Sequence, residues 1–198
     1  MINNLDLIKP LLNFESEDNF YHLQVLKRKK EHPDLGSNSY VVKTYYIRSH
    51  SYLDLKMPEI ISLCDFHNAR AYINPNVRSF EKLAFQMLKK VTDQILNKDY
   101  KSVRKAYESV CGTYSSDKEK KWILDFDMPY TPEFIKQLVA ELANTAPYEL
   151  TLYGVIPTKN GFHFVCSPFN IKDFSMAHTE TWKLFELHKN NPTVLYVP

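Results

Sequence analysis

Two aspartates one residue apart close the apolar run KKWILDFD (residues 120–127), and here side-chain type and spacing first suggest chemistry. In a strand the side chains alternate, so Asp125 and Asp127 share one face with Ile123, and Trp122, Leu124 and Phe126 share the other. Ionised carboxylates at neighbouring same-face positions repel each other unless water or a divalent cation screens them. Mg²⁺ and Mn²⁺ accept such hard oxygen pairs and keep coordination sites for substrate phosphates. The alternative is a strand end with two solvated acids. A second feature lies in TKNGFHFVCSPF (158–169), where His163 follows the turn at Gly161 inside an otherwise apolar strand. Phe162, Phe164 and Cys166 alternate to one face, leaving His163 and Val165 on the other. Such a histidine is either a satisfied core group or part of a site. Adjacent strands of one sheet would bring it to the face of Asp125 and Asp127, beside the turn residues Thr158, Lys159 and Asn160. A carboxylate pair next to a histidine and a lysine suits a nucleoside triphosphate.

RAYINPNVR (70–78) places Arg70, Tyr72 and Arg78 around a strand exit, either as a cradle for template or nucleotide phosphate or as surface arginines beside a proline turn. The basic run Lys27, Arg28, Lys29 and Lys30 is likewise a solvated helix or strand end, or a binding patch. Other chemistries lack their residues. The four glycines occur singly, with no phosphate-binding glycine loop and no G-x-S-x-G elbow. His22, His32, His50 and His67 are scattered, and Cys64, Cys111 and Cys166 form no C-x-x-C pair, so no zinc spacing exists and the cysteines read as reduced thiols of a cytoplasmic protein.

These residues need elements to position them. With 198 residues, 44% of them hydrophobic, and 24% charged, the chain suits one compact domain of two small halves sharing a core. Its net charge of +2 does not by itself announce a nucleic-acid binder. No apolar run approaches a membrane span, and the first twenty residues lack the pattern of a signal peptide.

In the first half (20–112), after a leader, residues 40–47 form a strand preceded by the turn-formers Pro33, Asp34, Gly36, Ser37 and Asn38. Pro58 fits the first turn of a short helix, and residues 69–74 form a second strand, giving β-α-β. Ser79 caps a helix whose stripe Phe80, Leu83, Ala84, Met87, Leu88, Val91 and Ile95 should be core. A helix at 99–111 ends at Gly112, and residues 113–120 form an exposed connection. The second half (120–198) has strands at 120–127 and 149–156, with a helix from Thr131 and Pro132 between them. A hairpin into 162–167, a helix near 175–188 and a closing strand at 193–197 follow. The order β-α-β-β-α-β is that of a split, ferredoxin-like or RNA-recognition-like sheet. The fold class is α/β in the α+β sense, with an N-terminal β-α-β unit packed on that sheet.

D-F-D on the first strand, a helix, and a hairpin bearing K-N-G-F-H together resemble the archaeo-eukaryotic primase, or primase-polymerase, superfamily. The pattern covers residues 120–198, and the first half in element order. The resemblance implies metal-dependent nucleotidyl transfer on a single-stranded or primed nucleic-acid template. Asp125 and Asp127 would bind Mg²⁺ or Mn²⁺, and His163 would contact the phosphates of the incoming nucleoside triphosphate. A helicase or other replication protein would come from a separate chain. The superfamily also carries a third acid on a later strand. TVLYV (193–197) has none, and Asp173, Glu180 and Glu186 fall in predicted loop or helix. Two competing expectations are an inactive nucleic-acid-binding or protein-interaction module on the same fold, and a metal-dependent nuclease.

Overall fold

The computed structural model describes residues 1–36, 38–115, 119–146 and 148–198. Ser37 of the expected turn and residues 116–118 of the expected connection lie outside the described residues, as does Pro147.

The chain opens with β1 (Ile2–Asn3) and α1 (Leu5–Ile8), then β2 (Asn19–Lys27), β3 (Tyr40–Ile47), α2 (His50–His67), β4 (Arg70–Ile73) and β5 (Arg78–Ser79). The helices α3 (Phe80–Leu96), α4 (Tyr100–Val103) and α5 (Ala106–Thr113) complete the first part. The second comprises β6 (Trp122–Phe126), α6 (Pro132–Ala143), β7 (Leu152–Pro157), β8 (Phe162–Cys166), α7 (Ile171–Ala177), α8 (Thr179–Trp182), β9 (Phe185–His188) and β10 (Thr193–Val197). They form two antiparallel sheets with helices packed on them, a mixed α and β architecture.

The first sheet runs β1-β10-β4-β2-β3, with β5 also pairing to β2. Because β2 is antiparallel to both β3 and β4, those two strands run the same way with β2 between them. The expected β-α-β unit is therefore split by a segment whose sequence left helix and strand end both open. Tyr21, Leu23 and Val25 bury on one face of β2 and Phe20 and His22 on the other, so the strand reads as a near-continuous apolar run, without clean alternation.

The hydroxyl of Ser49 caps α2 by accepting from the Tyr52 amide, and Pro58 sits inside the helix, not in its first turn as expected. Proline there forgoes one helical hydrogen bond, but Leu53, Met57, Ile60 and Cys64 bury against the first sheet and carry the helix through. Ser79 caps α3 as expected. Of its apolar stripe only Leu83 is buried, while Ala84, Leu88 and Ile95 are exposed, because the helix packs on α4 and α5 and leaves the sheet after its first turns. The helix expected at 99–111 is two pieces, with Gly112 inside α5.

The second sheet has the order β7-β8-β6-β9, every neighbour antiparallel, and the connectivity β-α-β-β-α-β. One expectation is corrected. The helix near 175–188 ends at Trp182, Phe185–His188 is the fourth strand, and TVLYV is β10, which joins the first sheet between β1 and β4. In Phe-Glu-Leu-His the apolar residues Phe185 and Leu187 pack on the aromatic core and Glu186 and His188 face away from it. All five residues of β10 are buried, as befits a strand covered on both faces.

Leu124, Phe126, Phe162, Phe164 and Cys166 form one core with α6 and α7. On the opposite face Ile123, Ile156 and Val165 join the apolar cluster of the first sheet and α2. Among the described residues no helix is long and apolar enough to cross a membrane.

Candidate functional site

The face of the second sheet turned towards the first is apolar at one end and charged at the other. Register fixes the charged end: Asp125 stands directly opposite His163 on β8 and directly opposite Glu186 on β9, while His188 stands opposite Ile123. These side chains share one face, and directly opposed residues in an antiparallel pair bring their Cβ atoms to roughly 4.5–5.5 Å. The expected meeting of His163 with Asp125 is thus realised, and β9 adds an acid and a histidine.

His163 is 7% exposed and engaged on both ring nitrogens: Nδ1 lies 2.8 Å from the Thr193 hydroxyl oxygen, and Nε2 lies 3.3 Å from Asp125 Oδ1. With the Thr193 hydroxyl donating to Nδ1, the Nε2–H faces the carboxylate. The other carboxylate oxygen, Oδ2, is 3.9 Å from His188 Nε2, which also stands 3.8 Å from Glu186 Oε2. The Asn191 side-chain amide donates to His188 Nδ1 at 3.0 Å, so Nε2 is the nitrogen turned to both acids. Hydrogen bonding with His163 holds the Asp125 carboxyl below the usual range, and the charges of His163, His188 and Arg28 reinforce this against the opposing effect of burial.

The series Asp125, His163, Thr193 has the order of a hydrolytic triad but not its access. Thr193 is 0% exposed, so its hydroxyl reaches no substrate. The chain of hydrogen bonds instead fixes the Asp125 carboxylate from behind.

The other expected residues are placed less centrally. Asp127 lies just past the end of β6 and is exposed. The turn folds back on itself, with the Thr158 hydroxyl accepting from the Gly161 amide at 3.1 Å. Lys159 is exposed, 3.7 Å from Glu31, and borders a shallow depression with Asn160 and Tyr130. Arg70 is buried and ion-paired with Glu31. Arg78 is fully buried between the carbonyls of Cys111 and Asn76, so neither arginine is the surface residue allowed for by the sequence.

No family model, curated protein or solved structure matches the chain. The site's chemistry therefore rests on its own geometry. Among the described residues no group of three or more His, Cys, Asp or Glu side chains converges to cage a metal ion. Two carboxylates facing each other across neighbouring strands, Asp125 and Glu186, are still the donor set with which Mg²⁺ is held when substrate phosphates complete its shell. Glu186, His188 and Thr193 were missed as site residues by sequence reasoning. The signal available was the F-E-L-H alternation, which sets Glu186 and His188 on one face.

Proposed function

We propose that this protein carries out metal-dependent nucleotidyl transfer on a nucleic-acid template, in an arrangement like that of the primase-polymerase superfamily. The observation that carries the reading is the register of β9, which sets Glu186 opposite Asp125 and supplies a third acid beside Asp125 and Asp127. The connectivity of the second sheet supports it, being that of RNA-recognition-like sheets, as does the position of the acids on the face turned to the other sheet.

Asp125, Glu186 and Asp127 would hold Mg²⁺ or Mn²⁺, which when bound neutralises charge on the entering and leaving oxygens of an in-line displacement. His163 holds Asp125 in one orientation through the Thr193 bond, since both its nitrogens are occupied. Contact with the nucleotide phosphates falls to His188, whose side chain is about a quarter exposed (26%), and to Lys159 at 61%. Arg28 contributes positive charge to the same region, as its effect on Asp125 requires. The reaction forms a bond from a primer 3′-hydroxyl oxygen to the α-phosphorus and breaks the bond to the pyrophosphate leaving group.

The test is isothermal titration of a non-hydrolysable nucleoside triphosphate with Mn²⁺ into wild type, Asp125→Asn and Glu186→Gln. Binding that needs the metal and weakens at least about tenfold in each variant is expected, the loss of one charge-assisted contact. Equal binding by all three overturns the reading. Incubation of labelled single strands and primed templates with Mn²⁺ then separates extension, which is expected, from cleavage, which would make the site a nuclease.

A further inference from the structure

Behind the β9–β10 connection lies a separate cavity of about 130 Å³, walled by His22, Gln24 and Tyr72 of the first sheet, by Arg78, and by Asn190 and Asn191. Its volume is that of about four waters, taking each at ~30 Å³. It accommodates a small tetrahedral anion and excludes a whole nucleotide.

Arg78 sets the chemistry. It is 1% exposed, its Nε donates to the Cys111 carbonyl at 2.5 Å and its Nη1 to the Asn76 carbonyl at 2.6 Å, and its Nη2 is buried with no hydrogen-bond partner. Both partners are neutral, and among the described residues no carboxylate lies within ion-pair distance of the guanidinium. Burial draws its pKa down to about 10, so it keeps its charge at neutral pH. A buried cation without a counter-charge is costly, and a buried donor without an acceptor adds to that cost. The nearest acid on this side, Glu108, stands 3.5 Å from His22 Nε2 and is held by Tyr46 at 2.7 Å, so it is committed elsewhere. The amides of Asn74 and Asn190 are also spent, on the Asn190 and Thr113 carbonyls. What the cavity lacks is an acceptor-rich anion.

We propose that this cavity is a binding site for a phosphate-type oxyanion that supplies the missing counter-charge of Arg78. The guanidinium offers its Nη2 edge, a geometry matched to phosphate oxygens. Through Asn191, whose amide also holds His188, the site adjoins the carboxylate cluster but does not depend on it. The oxyanion is either free inorganic phosphate or pyrophosphate, or a phosphate group of a bound nucleotide entering from the cleft.

The experiment is titration of the full chain with inorganic phosphate, pyrophosphate and a nucleoside triphosphate at constant ionic strength. It is followed by NMR of the His22 ring and the Arg78 side-chain Nε–H, with calorimetry in parallel. Saturable shifts of both groups are expected, with affinity reduced at least about tenfold in Arg78→Lys, which keeps the charge and loses the fork. Inorganic phosphate binding should be unchanged in Asp125→Asn, so that failure of the nucleotidyl-transfer reading leaves this site standing. Should Arg78→Lys not fold, the wild-type shifts decide alone. Shifts with the triphosphate only assign the oxyanion to a nucleotide. Absence of any shift at His22 and Arg78 with all three ligands, or equal binding by Arg78→Lys, overturns the proposal.

Discussion

His163 owes its orientation to a hydroxyl thirty residues away in sequence and on the other sheet. The Thr193 contact is buried, so removing it while keeping the shape isolates its effect. Thr193→Val is expected to destabilise the protein by about 1–3 kcal/mol, the range for leaving a buried polar atom without its partner. Urea unfolding measures this, with the slope unchanged if only the native contact is lost. Asp125 carries a second residue-scale prediction. Its carboxyl is held below the model value of 3.8, chiefly by His163, so the folded state binds a proton there less readily than the unfolded chain. A depressed carboxylate contributes stability that is complete above the unfolded pKa and is lost as pH falls through the folded one. The stability gap between wild type and Asp125→Asn should therefore narrow as pH falls below about 4, and a gap that stays constant down to pH 2 contradicts the assignment.

The hairpin between β7 and β8 is built against the end of β6. A Cβ at Gly161 would fall within bonding range of the Phe126 carbonyl oxygen and 2.7 Å from the Met128 amide nitrogen. These atoms belong to backbone and cannot swing aside, so the turn must shift or the strand bearing Asp125 must. Gly161→Ala is expected to cost about 1–3 kcal/mol, as overpacking does, and to lower Tm by about 3–10 °C in a chain of this size. Scanning calorimetry checks it. The helix α3 shows the opposite case, an amphipathic pattern that finds little to cover it. Phe85, Leu88 and Leu96 remain 66%, 65% and 75% exposed, so the stripe legible in the sequence does not translate into core. Periodicity reports which residues can share a face, and only the packing of neighbours reports whether that face is covered.

At the scale of the molecule, the three cysteines sit in three different apolar clusters: Cys64 with α2 and the first sheet, Cys166 with the second sheet, and Cys111 with α5 and Phe20. All three are free and buried, and burial pushes their thiols up to about 12, about 12 and about 11 respectively, so they are unreactive while folded. Because Ile123, Ile156 and Val165 of the second sheet lie in the same cluster as Leu23 and Ile73 of the first, the sheets should melt together. Thiol labelling across a urea series is expected to expose all three cysteines in one transition, coincident with fluorescence of Trp122 and Trp182, both on the second sheet's side. Labelling of Cys64 and Cys166 at separate midpoints would show the halves unfolding independently.

The sequence by itself determined the elements whose signals are local. Thr131 and Ser79 cap their helices as read, the D-F-D strand and the hairpin lie where alternation and the Gly161 turn put them, and Asp125 meets His163 because both facts follow from a period of two. Tertiary structure alone decided the rest. Four residues of strand at 185–188 carry too little pattern to outweigh a preceding helix, yet their pairing with β6 turns Glu186 and His188 to Asp125. The fully apolar β10 fits any covered sheet, and its place between β1 and β4 brings Thr193 to His163. Arg78 shows the same limit, since nothing in R-A-Y-I-N-P-N-V-R says that its guanidinium will be sealed from water; that depends on α5 closing over it. Local backbone preference fixes which strands exist, and long-range pairing, which sequence spacing does not encode, fixes which side chains meet.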